Sequence, residues 1–207
     1  MTKTLAPYSL PDLPYSPEAL QPIISSRTME LHHGTHHAAY VKAANEISAK
    51  LAELAVDEDP SALLRSLAFN VSGHVLHSLF WASMSPGGGA PSSALDNAIV
   101  ASFGSMSALR ARMSMTIAKL SGSGWAVLAW EPIARQLVVS QVHDHQSELI
   151  VGSSPLLVID GWEHAYYLDY TSNKASWAEK FFDVANWAAA SNRYDVALEL
   201  VGANSVI

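Results

Sequence analysis

The sequence predicts an α+β fold, with an all-helical first half and a mixed second half that carries a small antiparallel sheet. Three observations predict it. Residues 16–84 favour helix and contain few breakers. The densest breaker of the chain, Ser85-Pro86-Gly87-Gly88-Gly89-Ala90-Pro91, follows them. Beyond it lie short segments rich in β-branched and aromatic residues. The boundary between two lobes is placed at that breaker, giving residues 1–90 and 91–207.

Ser16-Pro17-Glu18 reads as a helix start: a capping hydroxyl, proline at the first helical position, then an acid at the positive helix end. Helix is expected from there to about Leu54, with Pro22 and Gly34 as its internal breakers. Pro60-Ser61 opens a second helix through Leu63, Leu64, Leu67 and Ala68 to about Met84. Ser93-Ala94-Leu95-Asp96 starts a third, broken near Ser121-Gly122-Ser123-Gly124. Trp125 to Trp130 and Leu137 to Val142 read as a hairpin, separated by Glu131-Pro132 and a short polar stretch. Pro155 to Ile159 is a third strand, expected at the centre of the sheet. Ser176 to Ala190 and Arg193 to Val201 return to helix, and no internal repeat is found.

A length of 207 residues suits one large domain or two small lobes sharing a core. A formal charge of −7 and the lack of any basic block argue against nucleic acid or an anionic membrane as partner. An anionic substrate would need a local positive funnel against that charge. There is no cysteine, so a metal site must be built from His, Asp and Glu. The first twenty residues lack the apolar core of a secretory signal, and the expected location is cytoplasmic, with signal-independent export left open.

Nine histidines lie mostly in short clusters. In Leu31-His32-His33-Gly34-Thr35-His36-His37-Ala38-Ala39-Tyr40, a helix would stack His32, His36 and Tyr40 on one face and His33 and His37 on the neighbouring stripe. In Gly73-His74-Val75-Leu76-His77-Ser78-Leu79-Phe80-Trp81, His77 and Trp81 share an apolar, buried face, where an unpartnered imidazole costs on the order of a few kcal/mol. In Asp160-Gly161-Trp162-Glu163-His164 an apolar strand ends in a carboxylate and a histidine follows one helical turn later, so Asp160 and His164 can face one ion. Taken singly, each cluster has a plainer reading: solvated helix histidines, core tryptophans, and a capping pair at Asp160-x-x-Glu163. Taken together they favour a metal site of three histidines and one carboxylate, suited to iron, manganese or zinc rather than to calcium or magnesium.

These segments resemble the iron/manganese superoxide dismutases. The resemblance is carried by Met29-Glu30-Leu31-His32-His33-x-x-His36-His37-x-x-Tyr40-Val41, His77-Ser78-Leu79-Phe80-Trp81, Gly122-Ser123-Gly124-Trp125 and Asp160-x-Trp162-Glu163-His164-Ala165-Tyr166-Tyr167. They occur in order between Leu10-Pro11-x-Leu13-Pro14-Tyr15 and Asn186-Trp187-x6-Tyr194. The resemblance implies an N-terminal helical hairpin and a C-terminal α/β lobe with a three-stranded antiparallel sheet. It implies one iron or manganese ion per subunit, held by His32 and His77 from the hairpin and by Asp160 and His164 from the second lobe. Both metals stay open, with a lean to iron that neither His145 nor Gly73 decides. The implied reaction converts superoxide to dioxygen and hydrogen peroxide.

Roles follow from the resemblance position by position. Tyr40 and His36 would line substrate entry and relay protons, and Trp81, Trp125 and Trp162 would wall the site. His145 stands where many members carry a glutamine that hydrogen-bonds metal-bound solvent. Glu163 and Tyr167 would reach across the interface of a homodimer or homotetramer, and Lys174 would steer superoxide. The chain departs from the family at three positions: Gly161 replaces a larger apolar residue, Leu76 stands where asparagine is common, and His143 where tyrosine is common. Gly161 would either loosen the chain between two ligands or reflect a repacked wall. Two rival readings are a zinc hydrolase, for which Glu163 is the one candidate base beside a ligand, and a non-catalytic metal-binding protein.

Overall fold

The computed structural model describes residues 6–203. The first helix starts later than Ser16-Pro17-Glu18 suggests. Residues 16–24 instead form successive turns, with Ala19 N–H bonded to Ser16 O, Gln21 N–H to Glu18 O and Ile23 N–H to Leu20 O. Pro22 brings no N–H and disfavours helical backbone in the residue before it, so the ladder cannot propagate through it. Helix α1 (Ser26–Leu31) is capped by Ser25, whose hydroxyl accepts from the Thr28 N–H at 3.2 Å.

The chain then continues as one π-helical turn (His32–His37) into α2 (Ala38–Glu53). The Ala38 N–H reaches back five residues to His33 O, which defines the wider turn. The extra residue changes which histidines face inward. His32 and His37, five apart, are both buried, whereas His36 and Tyr40 are half-buried. The four-residue stacking expected from a regular helix therefore holds only loosely. Helix α3 (Ser61–Ala82) packs back against α2 to complete the hairpin, as expected, and buries Gly73, Leu76, His77, Phe80 and Trp81.

The third helix divides into α4 (Ser93–Phe103) and α5 (Met106–Lys119). Gly104 ends α4 in left-handed backbone (φ 85°), and the Ser105 hydroxyl caps α5 by accepting from the Ala108 N–H. Strands β1 (Gly124–Glu131), β2 (Gln136–His143) and β3 (Ser154–Asp160) form one antiparallel sheet in the order β2-β1-β3. The hairpin is where the sequence puts it. The central strand is not β3 but β1, whose residues 124–130 are all buried. Strand β3 is an edge made to look central: Arg193 covers it by donating to Leu156 O, and the Ser83 hydroxyl accepts from the Val158 N–H.

After α6 (Glu163–Tyr170) and α7 (Lys174–Lys180), a 3₁₀ turn (Phe181–Asp183) leads to α8 (Trp187–Ala203). The expected helix over Ser176 to Ala190 is thus interrupted at Val184–Asn186. There the backbone pairs with the end of the hairpin instead: Ser85 N–H donates to Val184 O and Asn186 N–H to Ser83 O, both at 2.8 Å. The Asn186 side chain then accepts from the Ala189 N–H and starts α8. One apolar core joins the lobes, with Met29, Phe80 and Trp81 meeting Trp125, Ile159, Trp177 and Phe181. Among the described residues no helix is long and apolar enough to cross a membrane.

Candidate metal centre

Four elements converge at one end of the sheet. The π turn presents His32, α3 presents His77, the last residue of β3 is Asp160, and α6 presents His164. Asp160 Oδ2 is the hub, 3.1 Å from His32 Nε2, 3.2 Å from His164 Nε2 and 3.8 Å from His77 Nε2. One donor atom from each residue lies within 4.8 Å of all the others. The carboxylate is anchored from behind: Oδ1 accepts from the Trp162 N–H at 2.8 Å, and the backbone carbonyl accepts from Trp177 Nε1 at 2.7 Å. Asp160 therefore does not form the capping pair with Glu163.

The donor chemistry fits a cation. His77 Nδ1 donates to Gly73 O at 2.6 Å, and a carbonyl can only accept, so Nε2 carries the lone pair and points into the cluster. Both His32 Nε2 and His77 Nε2 are buried without a hydrogen-bond partner. An unmet buried polar atom costs about 1–3 kcal/mol. Burial lowers the His32 imidazole to about 4 and holds that of His77 well below the ordinary value, so both are neutral near pH 7. Burial by itself would raise the Asp160 carboxyl, but the His164 and His32 imidazoles outweigh it and keep the group ionised. Among the described residues no lysine or arginine pairs with Asp160. A buried anion facing unpartnered imidazole nitrogens is what a bound cation satisfies.

Residues 7–85 match the alpha-hairpin domain of the iron/manganese superoxide dismutases, and residues 91–193 match their C-terminal domain. The chain belongs to this superoxide dismutase family. It is 45% identical over 197 residues to the superoxide dismutase [Fe] of Mycobacterium tuberculosis (strain H37Rv), covering 93% of this chain and 95% of the relative. It is 44% identical to the superoxide dismutase [Mn] of Mycobacterium lepraemurium, with the same coverage. To the superoxide dismutase [Mn/Fe] of Propionibacterium freudenreichii subsp. shermanii it is 43% identical, over 93% of this chain and 98% of the relative. The four converging residues fit the single iron or manganese ion that these names carry.

Around the dismutase cluster, the sequence-predicted residues fall into three groups. Trp81 and Trp125 are fully buried and pack on ligand rings, Trp81 at 4.8 Å from His32 and Trp125 at 5.1 Å from His77 between ring centres. Trp162 lies half-buried between His145 and His164. Tyr40, His36 and His145 rim the cluster. The Tyr40 ring sits 5.1 Å from His77 and 4.7 Å from His145, and burial, aided by the Asp160 and Asp144 charges, keeps its phenol protonated. His36 stacks on His164 at 4.4 Å. His145 Nδ1 accepts from Trp125 Nε1 at 3.0 Å. In the neutral ring the hydrogen is then on Nε2, which is buried and has no partner. Burial lowers that imidazole to about 4, so neutral is its state near pH 7. Glu163 and Tyr167 are exposed on α6 and line a surface hollow with Trp162, His164 and Lys174. Lys174 Nζ is engaged with Leu120 O and Gly122 O at 3.3 and 3.2 Å.

Two residues matter here that sequence reading gave no role, His37 and His74. His37 Nδ1 accepts from Trp81 Nε1 at 2.9 Å, and its Nε2 meets His74 Nδ1 at 2.8 Å while its ring stacks on His77. This chain of bonds fixes Trp81 and one face of His77. The signal for it was the second histidine doublet, which a regular helix would have turned away. Gly161 resolves as a repacked wall: a Cβ there would lie 3.0 Å from Ile117 Cδ1 and 3.2 Å from Leu120 Cδ2, so these side chains already fill the space.

Proposed function

We propose that this chain dismutes superoxide at a single iron or manganese ion held by His32, His77, Asp160 and His164. The carrying observation is the pair of buried, unpartnered imidazole nitrogens grouped around one oxygen of an ionised aspartate. Such an ion supplies one-electron redox chemistry, by which one superoxide is oxidised to dioxygen and the next, with two protons, is reduced to hydrogen peroxide. The protein's part is to hold the ligands, exclude water and place proton donors. The Trp81 and Trp125 rings keep the pocket dry, which strengthens every charge interaction within it. Tyr40 keeps its phenolic proton at the rim, and His145 offers Nε2–H toward the same space. His36, stacked on His164, lines the way in. Lys174, in a protein of net charge −7, gives the adjoining hollow a local positive charge toward an anion.

Glu163 and Tyr167 serve a homodimer or homotetramer by contacting a second copy of the chain; both are exposed on one short helix beside His164. The test is superoxide dismutation by metal-free protein reloaded separately with iron and with manganese, scored per bound ion. Turnover with either metal supports the reading. Stoichiometric binding with no turnover by either would overturn it.

A further inference from the structure

His145 is carried by an unusual turn. Between β2 and β3 the chain places two non-glycine residues in left-handed backbone, Asp144 (φ 49°) and Glu148 (φ 63°), on either side of His145. Such residues persist only where the surroundings hold them. Asp144 is held at both ends of its peptide: its N–H donates to Ser123 O at 3.0 Å and its carbonyl accepts from Trp162 Nε1 at 3.1 Å. Glu148 is held by its own side chain. One oxygen, Oε2, accepts from both the backbone N–H of His143 (3.2 Å) and the His143 ring at Nδ1 (2.6 Å). A further bond from the Ser147 N–H to His143 O closes the same ring of chain. His143 is the last residue of β2, so this carboxylate ties the far end of the turn to the rigid sheet.

We propose that Glu148 and His143 are positioning residues for the dismutase reaction: their contact latches the 143–148 turn and so sets where His145 Nε2–H points. Neither side chain touches the metal ligands, and both are substantially solvent-exposed, at 41% and 58% for His143 and Glu148. As a surface ion pair the contact would contribute little to stability. Its consequence is geometric. His145 has other supports: the Trp125 indole N–H on Nδ1, the Trp162 face stacked at 4.5 Å, and Gln146 Oε1, which accepts from its backbone N–H at 3.2 Å. The two aromatic contacts fix the ring, and the Asp144 and Gln146 bonds hold the near end of the turn; Glu148 holds the far end, after His145.

The inference rests on the reading that His145 faces the reacting pocket, so His145→Ala is measured beside the latch variants. All are made as metal-loaded protein, and three quantities are followed: deuterium exchange of the 143–148 segment, the electron paramagnetic resonance spectrum of the bound metal, and the pH profile of kcat. Glu148→Ala is expected to speed exchange roughly tenfold, as for a local opening, and to shift the spectrum and pH profile in the direction of His145→Ala. Glu148→Gln keeps an acceptor oxygen and should stay close to the parent. Glu148→Gly relieves the left-handed backbone without restoring the carboxylate, so it should behave like Glu148→Ala. His143→Ala tests the same contact from its other end. If the latch variants change only exchange or melting temperature, leaving spectrum and pH profile as in the parent, the pair is merely structural and the proposal fails. Rescue by Glu148→Gly would also overturn it, since backbone strain would then be the whole effect. If His145→Ala itself leaves both signatures unchanged, the underlying reading of His145 falls and takes the latch with it.

Discussion

Adding one methyl group at Gly73 is expected to disturb the dismutase site more than its size suggests. A Cβ built there lies 3.0 and 3.1 Å from the Tyr40 ring and 3.2 Å from His145 Cδ2, all inside ordinary contact, which begins at 3.4 Å. Relief requires the Tyr40 ring to retreat by about 0.4 Å and the His145 ring by about 0.2 Å, and neither is free to do so. Tyr40 is backed by Phe69 at 5.9 Å and by His77 at 5.1 Å between ring centres, while His145 is pressed flat against Trp162 at 4.5 Å. Overpacking of this kind costs about 1–3 kcal/mol. For a chain of this length each kcal/mol lowers the melting temperature by about 2–4 °C. Gly73→Ala should therefore melt several degrees lower at unchanged metal content, as measured by calorimetry, and show an altered pH profile of kcat because Tyr40 and His145 are the displaced rings. A parental melting temperature together with a parental pH profile would refute the packing argument.

Asp160→Ala removes the oxygen that lies within 3.8 Å of three imidazole nitrogens, and should leave protein with background metal content by elemental analysis. The loss carries a stability penalty, because a bound ion contributes about 4 kcal/mol when free metal stands at roughly 1,000 times its Kd; retained metal would sink the ligand assignment. The metal-free protein should weaken on acidification. His32 and His145 are lowered to about 4 in the folded state, mainly by burial, so between about pH 6.5 and pH 4 the unfolded chain binds protons that the folded chain does not. Their contribution is thus fully present above about pH 6.5 and is lost as pH falls, on the order of 3 kcal/mol for His32; urea midpoints that stay flat across this window would contradict the assignment. Glu163→Ala should weaken self-association at low protein concentration, and sedimentation showing an unchanged assembly would remove Glu163 from the interface.

What was legible in the chain follows from what local chemistry can encode. A metal site of three histidines and one carboxylate could be read from the histidine clusters, a carboxylate ending an apolar strand and a histidine one turn later, while the choice of His32 and His77 among the clustered histidines came from the family resemblance. The β1–β2 hairpin was legible because two β-rich runs flank a short polar connection. The helix start at Ser16 was misread because Pro17 and Glu18 are good first-turn residues whatever follows, and Pro22 then prevents the ladder from continuing. Gly104-Ser105 did carry a stop and a cap, but a single glycine in an apolar helical run is weak punctuation beside the Ser121 to Gly124 cluster.

Other features have no local signal at all. Strand β3 reads as central because Leu156 to Asp160 are buried, yet its outer edge is covered by side chains from distant elements, Arg193 and Ser83, rather than by another strand. The break at Val184–Asn186 exists because its backbone groups bond to Ser83 and Ser85, about 100 residues away in sequence, and helix propensity yields to that pairing. The π turn brings His32 and His37 inward together, which a period of 3.6 residues cannot foretell.

By itself the sequence determined the α+β class, the helical hairpin, the β1–β2 hairpin, the donor chemistry of the metal site and the family, since each is written in residue type and short spacing. Only the tertiary structure decided which nitrogen of His77 is the lone pair, that Asp160 is the hub, and that Glu148 ties down the turn bearing His145. Those facts depend on hydrogen-bond partners supplied by other segments, and a partner's position is a property of the packed chain rather than of any stretch of it.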